Sequence, residues 1–333
     1  MEYSTHWART VNIGVVVIGR NEGERLRQCL KSVTRVTDRV IYVDSGSTDG
    51  SVAMVLDMGL GVVELDLHIP FTAARARNEG SKLLLKHSPD LEYIQFVDGD
   101  CELVEGWLET AAVFLNTHKD VAMVCGRLRE RYPEHSVYNL LCDIEWDKVK
   151  GEVKACGGLA MVRIKAFEAE GGYRADMIAG EEPELCVRLR ASGWRIYQLD
   201  IEMALHDAAM IRFGQWWKRT QRTGYAYAEG VHLHGGLPEM HRLRESRRAW
   251  IWGLGIPVIT ACLSVWLGLW SLIILMVYPV QVSRIALRGR RSVRENWWYG
   301  LFLVLAKFPE VIGQLKYLFN RLTRRTAQLI EYK

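Results

Sequence analysis

The chain has 333 residues, enough for one large domain or two, and 49% of them are apolar, so a sizeable core can be buried. The net charge of +4 hides an asymmetry: residues 1–211 carry 24 Lys+Arg against 33 Asp+Glu, whereas residues 212–333 carry 19 against 6. An acidic front half argues against a nucleic-acid partner, and a basic, Trp-rich back half suits an anionic membrane surface.

Met1–Thr10 is polar, and the apolar run after it is too short for a signal peptide with a cleavage site. Val11–Ile18 is a β-branched run that predicts a buried strand, and Arg20-Asn21-Glu22-Gly23 predicts the turn after it. Glu24–Val33 has Leu26, Leu30 and Val33 on one face of a helix. A second strand, Arg39–Val43, ends at Asp44, and Ser47 or Thr48 can cap a helix running to about Met58. Val62–Leu67 predicts a strand, Phe71–Lys86 a helix, Tyr93–Val97 a strand and Gly106–His118 a helix. This alternation implies an α/β fold, a mostly parallel sheet with helices on both faces.

Beyond Val121 the alternation loosens. Val121–Arg129 is a strand candidate, Ile164–Glu170 a short helix between glycine turns, and Trp194–Leu199 a late strand. Glu184–Ser192 predicts a helix with Pro183 at its first position. Ile211–Glu229 predicts an amphipathic helix, after which His232 and His234 fall in a glycine-flanked loop. The seven cysteines form no C-x-x-C pair and suit free thiols in a reducing compartment.

Ala249–Ser283 contains no charged residue. As one straight helix it would span roughly 50 Å, beyond the ~30 Å hydrocarbon core of a bilayer. Arginines crowd both flanks, from Arg242 to Arg248 and from Arg284 to Arg294, which favours both ends on the cytoplasmic side. A helical hairpin turning near Leu267-Gly268 is the leading expectation; a single long tilted span and a buried helix pair are the alternatives. Leu301, Leu305, Phe308, Ile312, Leu315 and Phe319 recur at helical spacing and predict a helix in the membrane interface or one packed on a core. The expected organisation is a catalytic domain over 1–230, a basic linker over 231–248, a transmembrane or re-entrant hairpin over 249–283, and a basic loop with an interfacial helix over 284–333.

The chemistry concentrates at strand ends. Asp98-Gly99-Asp100 directly follows an apolar strand, and two carboxylates there are costly to hold without a counter-charge. A divalent cation supplies that charge, and hard oxygen ligands suit Mg²⁺ or Mn²⁺. Val43-Asp44-Ser45-Gly46 is a second acidic turn, and two such strand ends suggest a nucleotide-diphosphate site at the sheet edge.

In order along the chain, Val17-Ile18-Gly19-Arg20-Asn21-Glu22, Asp44 with Asp49, Arg77-Asn78-Glu79-Gly80, Asp98-Gly99-Asp100 and Gly180-Glu181-Glu182-Pro183-Glu184-Leu185 resemble glycosyltransferase family 2, over about residues 11–230. The resemblance implies an inverting enzyme of GT-A fold that takes a nucleotide-diphosphate sugar, a UDP-sugar foremost. It implies that backbone around Ile18, Arg20 and Asn21 meets the base, with Glu22 near the ribose and Asp44 at base or ribose. Arg77 either reaches the nucleotide or braces Asp44 or Asp98. Asp100 is the implied cation ligand, Asp98 lies at the ribose or behind the metal, and His206 completes the coordination or is structural. Glu182 is the implied general base, with Glu181 as the alternative, since Glu stands here where the family usually has Asp. Gly158 lets backbone approach the donor sugar. Gln215-Trp216-Trp217-Lys218-Arg219 loosely resembles an element of processive synthases but lacks its Arg-Trp order. Lys218, Arg219 or Arg222 either clamps the diphosphate or belongs to an interfacial basic helix. The acceptor expected is lipid-linked or polysaccharide, at the cytoplasmic membrane face. Polyprenyl phosphate as acceptor, and a sugar-nucleotide pyrophosphorylase, are the competing readings.

Overall fold

A computed structural model describes residues 12–324. Met1–Thr10 and the last residues of the 284–333 segment lie outside the described residues. The described chain divides into two compact units: 12–131, 145–177 and 181–208 in the first, and 132–144, 178–180 and 209–324 in the second.

The first unit is built on a nine-stranded mixed sheet in the order β3-β2-β1-β4-β8-β6-β9-β5, with β7 paired to β9. Its first half follows the alternation read from the sequence. The strands are β1 (Ile13–Gly19), β2 (Val40–Asp44), β3 (Gly61–Glu64) and β4 (Tyr93–Asp98). They pair in parallel, with α1 (Glu24–Thr34), α2 (Ser51–Asp57) and α3 (Ala73–His87) as connections. Every residue of β1 from Ile13 to Ile18 is buried. Side chains alternate between faces along a strand, so both faces of the central sheet are covered.

The second half departs from a parallel sheet. β5 (Cys101–Leu103), β7 (Gly151–Glu152) and β8 (Ala160–Arg163) run antiparallel to their neighbours. β6 (Val121–Glu130) and β9 (Arg195–His206) pair in parallel. β9 runs seven residues beyond the expected end at Leu199. α4 (Trp107–Thr117) follows β5, and α6 (Ile164–Ala169) follows β8. The predicted cap of α2 moves: Gly50 is the cap, and the Asp49 carboxylate accepts from Ser51 N at 3.0 Å. α7 (Glu181–Ala191) starts at Glu181, so Pro183 sits third in the helix rather than first. A missing N–H is harmless there, because the first-turn donors have no intrahelical partner.

The second unit is helical. It holds most of α5 (Val137–Trp146), which has no counterpart in the sequence reading, and α8 (Phe213–His234). His232 and His234 therefore lie in the last turn of a helix, not in a loop. A helical run, Leu243–Arg288, is long and apolar enough to cross a membrane by length and composition. It comprises α9 (Leu243–Ala249), a π-helical stretch Trp250–Gly255, α10 (Ile256–Leu267), a 3₁₀ stretch Gly268–Met276 and α11 (Val277–Arg288). The run is not straight. Tyr278 Oη donates to the carbonyl of Trp252 at 2.5 Å, and their rings lie 6.0 Å apart. Twenty-six residues of straight helix would separate them by ~39 Å. The chain reverses at Gly268, whose φ of 55° and ψ of −140° a glycine adopts without Cβ strain.

The apolar repeat from Leu301 to Phe319 is divided at Ala306 between α12 (Val293–Leu305) and α13 (Lys307–Leu322). α8 and α13 approach closely through glycines: a Cβ on Gly224 would collide with the backbone of Glu310, and one on Gly313 with that of Gln221. Tyr225 and Tyr317 meet edge to face beside this crossing, at 5.2 Å. Ile312, Leu315, Leu318 and Phe319 remain exposed along α13.

Candidate active site

Three parallel strands deliver the acidic turns to one sheet edge. Gly19 lies opposite Asp44 and Ile18 opposite Asp98, so the carboxyl ends of β2, β1 and β4 are level. The turns are laced together by backbone. Gly99 N donates to Ile18 O at 2.8 Å, and Ser45 N to Gly19 O at 3.1 Å. Asn21, at φ 55°, accepts from Thr48 N at 2.7 Å and donates its own N–H to Ser47 Oγ at 2.9 Å. Asp44 is buried and accepts three hydrogen bonds, from Tyr42 Oη at 2.9 Å and from Gly46 N and Ser47 N at 2.8 Å each. Its carboxylate thus shapes the turn it was expected to present. Glu22 pairs with Arg25 at 2.7 Å, and Arg20 is exposed.

The densest charge cluster centres on Arg77 of α3. Its guanidinium is buried and meets three carboxylates: Nη2 reaches Asp98 Oδ1 at 2.9 Å, and Nη1 reaches Glu181 Oε1 at 2.9 Å and Glu182 Oε1 at 2.8 Å. Burial opposes the charge on Arg77, but the surrounding Asp98, Glu182 and Glu181 outweigh it and hold the guanidinium firmly ionised. Glu182 is pushed up to about 7, first by burial and then by the neighbouring charge of Glu181, with Arg77 pulling the other way. A carboxyl titrating there is half ionised at neutral pH and can take up a proton. The Tyr173 ring lies 5.7 Å from the guanidinium. Asn78, next in α3, pins Tyr173 by exchanging hydrogen bonds with its backbone N and O, at 3.0 and 2.7 Å. Gly158 closes the cluster: a Cβ there would lie 2.7 Å from Arg77 Nη2 and 2.9 Å from Glu182 Oε1.

The second cluster forms where β6, β9 and β5 lie side by side. His206 pairs with Glu130 on one flank and Cys101 on the other. His206 Nε2 is 3.4 Å from Asp100 Oδ2, and its Nδ1 is 3.5 Å from Glu130 Oε2. Glu130 is anchored by Ala208 N at 3.1 Å, and Trp146 stands edge-on to the imidazole at 4.7 Å. Asp100, Cys101 and His206 each bring one ligand atom within 4.8 Å of the others. Burial, followed by the charge of Asp98, pushes the Cys101 thiol up, so it stays protonated and offers little to a hard cation. The carboxylate and the imidazole form the donor set that fits Mg²⁺ or Mn²⁺.

Thus Arg77, Asp98, Glu181, Glu182 and Gly158 converge, and Asp100 converges with His206. Lys218, Arg219 and Arg222 lie on α8 in the other unit. Glu130, Asn78 and Tyr173 were not singled out as site residues from the sequence. Glu130 ends a strand as Asp44 and Asp98 do, but Arg127 and Arg129 just before it break the apolar run that marks the other two.

Comparisons with known proteins bear on the family and the fold. Residues 14–168 match the family model described as glycosyl transferase family 2. A segment of 54 residues is 43% identical to an uncharacterized glycosyltransferase of Rickettsia conorii, covering 16% of this chain and 19% of that protein. Another of 103 residues is 31% identical to a TPR repeat-containing protein of Synechococcus elongatus, covering 31% of this chain and 24% of the relative. The matches therefore span about a quarter or less of each curated relative's length. Among solved structures, the mannosyltransferase PcManGT of Pyrobaculum calidifontis, in complex with GDP-Man and Mn²⁺, superposes with a TM-score of 0.62 at 17% identity. That alignment covers 93% of this chain and 88% of the other, a likeness of fold.

Proposed function

We propose that this chain is a glycosyltransferase that inverts the anomeric configuration of the sugar it moves, from a nucleotide-diphosphate donor to a lipid-linked or polysaccharide acceptor at the cytoplasmic membrane face; the match of residues 14–168 to glycosyl transferase family 2 and the likeness of fold to the Pyrobaculum mannosyltransferase support the reading. A UDP-sugar is the first donor to test and a GDP-sugar the second, the latter because the Pyrobaculum enzyme of similar fold binds GDP-Man. The observation that carries the reading is the Arg77 cluster, in which one cation holds Asp98, Glu181 and Glu182 while Glu182 titrates at about 7.

Glu182 is the proposed base. It takes the proton of the acceptor hydroxyl as that oxygen attacks the anomeric carbon, opposite the departing diphosphate. Arg77 fixes the rotamer of Glu182 and keeps the cluster from excessive mutual repulsion. Asp100 and His206 would hold the divalent ion, with Asp98 beside them and Glu130 setting the imidazole orientation. Bound there, Mg²⁺ or Mn²⁺ supplies Lewis acidity to the leaving diphosphate. Asp44 and the Ile18–Glu22 turn are the proposed base and ribose contacts. Membrane placement is supported by the apolar run between Leu243 and Arg288 and its arginine flanks.

The test is a thermal-shift screen of UDP, GDP and their sugars with and without Mn²⁺, followed by nucleotide-diphosphate release with the donors that bind. Ligand binding to the folded state raises its stability by mass action. A donor that stabilises the protein only with metal, and that turns over, is the expected result. Absence of binding by every nucleotide sugar would refute the reading.

A further inference from the structure

We propose that residues 256–276 form a re-entrant arm that enters a single leaflet of an anionic bilayer without crossing it. This deepens the membrane placement proposed above and is independent of the transfer chemistry.

The arm has two legs that meet at Gly268. The outward leg, α10, has twelve residues and a length of ~18 Å. The return leg, Gly268–Met276, has nine residues in 3₁₀ geometry and also measures ~18 Å. Equal legs explain why Trp252 and Tyr278 meet at the base. A full crossing needs ~20 residues per leg, whereas half of a ~40 Å bilayer, headgroups included, matches the arm.

The surface of the arm is apolar on nearly every side. Val258, Ile259, Val265, Trp266, Leu269 and Trp270 are all exposed, Leu269 by 84% and Trp266 by 85%. Its two buried residues are Thr260 and Ser271, one on each leg. Each hydroxyl donates to a carbonyl of its own leg, Thr260 to Ile256 at 2.9 Å and Ser271 to Gly268 at 2.9 Å. Exposed Ser264 does the same toward Ala261 at 2.7 Å. Hydroxyls satisfied in this way are compatible with hydrocarbon, where no water is present to serve them.

Below the base the chemistry changes sign on both sides of the arm. Arg244, Arg247 and Arg248 precede it and Arg284, Arg288 and Arg290 follow it, all exposed. Each set begins within about two helical turns of the Trp252–Tyr278 pair. Arginine collars on the same side of an apolar arm fit the phosphates of one leaflet. Sinking the arm far enough to reach the opposite face would draw the Lys307–Glu310 ion pair, adjacent to Phe308 at the level of Tyr278, into hydrocarbon.

The experiment uses the full chain and vesicles of phosphatidylcholine with or without phosphatidylglycerol. Cys262 is the exposed cysteine and the other six are buried, so Cys262→Ser with Leu269→Cys gives one labelling site at the arm tip. A polarity-sensitive fluorophore there should shift to the blue on vesicle binding. Nitroxides deep in the acyl chains should quench it more than nitroxides at the headgroup. An impermeant thiol reagent sealed inside the vesicles should leave the unlabelled tip cysteine untouched. Labelling from inside would mean that the arm spans, and an unshifted emission would mean that it stays in water; either overturns the proposal. Replacing Arg284 and Arg288 by Gln should weaken binding to phosphatidylglycerol vesicles about thirtyfold, at ordinary ion-pair strength near a membrane surface. Unchanged affinity would overturn the arginine collar. Donor-induced thermal stabilisation, measured on the same variants, should stay at the wild-type level, so a failed transferase assignment would register separately.

Discussion

Replacing Glu182 by Gln separates its chemical role from its structural one. The side chain is 14% exposed and its Oε1 accepts from Arg77 at 2.8 Å, a bond that the Gln carbonyl can keep. The carboxyl is raised from 4.5 to about 7, so the folded state binds its proton more tightly than the unfolded chain does. Ionising it therefore costs stability. The cost is absent below pH 4.5, grows between 4.5 and 7, and is complete above 7. Fully developed, this cost is ~3 kcal/mol. The Gln variant is free of this cost, so at pH 8 it should be more stable than the parent by up to ~3 kcal/mol, and at pH 5 by no more than ~1 kcal/mol. Urea unfolding at the two pH values measures the difference. Transfer, followed by nucleotide-diphosphate release, should fall by about 10² to 10⁴, the usual contribution of a general base. The acid limb of the parent's rate profile, centred near 7, should vanish from the residual activity. A variant that is fully active, or destabilised equally at both pH values, would refute the assignment. Full activity with Glu181 also replaced would favour an acceptor that is already ionised, such as a polyprenyl phosphate.

Asp100→Asn should abolish metal-dependent donor binding. At Mn²⁺ one hundred times its dissociation constant the parent gains ~2.7 kcal/mol of stability, and the variant should show no Mn²⁺-induced rise in melting temperature; a retained rise would put the ion elsewhere. Gly158→Ala drives a methyl against Arg77 Nη2 and Glu182 Oε1, so unfolding free energy should drop by ~1–3 kcal/mol and the acid limb of the rate profile should move; an unchanged limb would uncouple Gly158 from the base. Gly313→Ala forces α13 away from the backbone of Gln221 on α8, and thermal unfolding should show a loss of ~3 kcal/mol or more, whereas a neutral result would contradict the close crossing.

The parallel half of the sheet was legible because each strand is a continuous apolar run closed by a polar turn, and each connection carries a helical period. The antiparallel half was not. β5, β7 and β8 have three, two and four residues, too few for any period to register. β9 reads shorter in the sequence because Asp200 and Glu202 interrupt its apolar run; both are exposed and pair with Lys150 and Arg129. The break at Ala306 leaves no mark in the sequence pattern, because apolar spacing continues across it. Glu182 and Arg77 were visible as separate motifs. Their common cluster was not, because it joins residues 104 and 105 positions apart through folding that no local pattern records.

The charge balance of the Arg77 cluster argues against a purely structural role. A buried ion pair retained for stability is expected to be balanced, since every surplus charge adds desolvation cost without attraction. Here three carboxylates share one guanidinium, and a fourth, Asp100, follows Asp98 with only Gly99 between them. The fold tolerates this surplus in two ways visible in the geometry. Glu182 rises to about 7 and so carries only part of a charge at neutral pH, and Asp100 faces an imidazole that a cation can share. Both arrangements leave capacity for positive charge: a proton at Glu182 and a divalent ion at Asp100. Substrate chemistry that delivers a proton to the first and a pyrophosphate to the second would use both at once, which is the demand that inverting sugar transfer makes of its site.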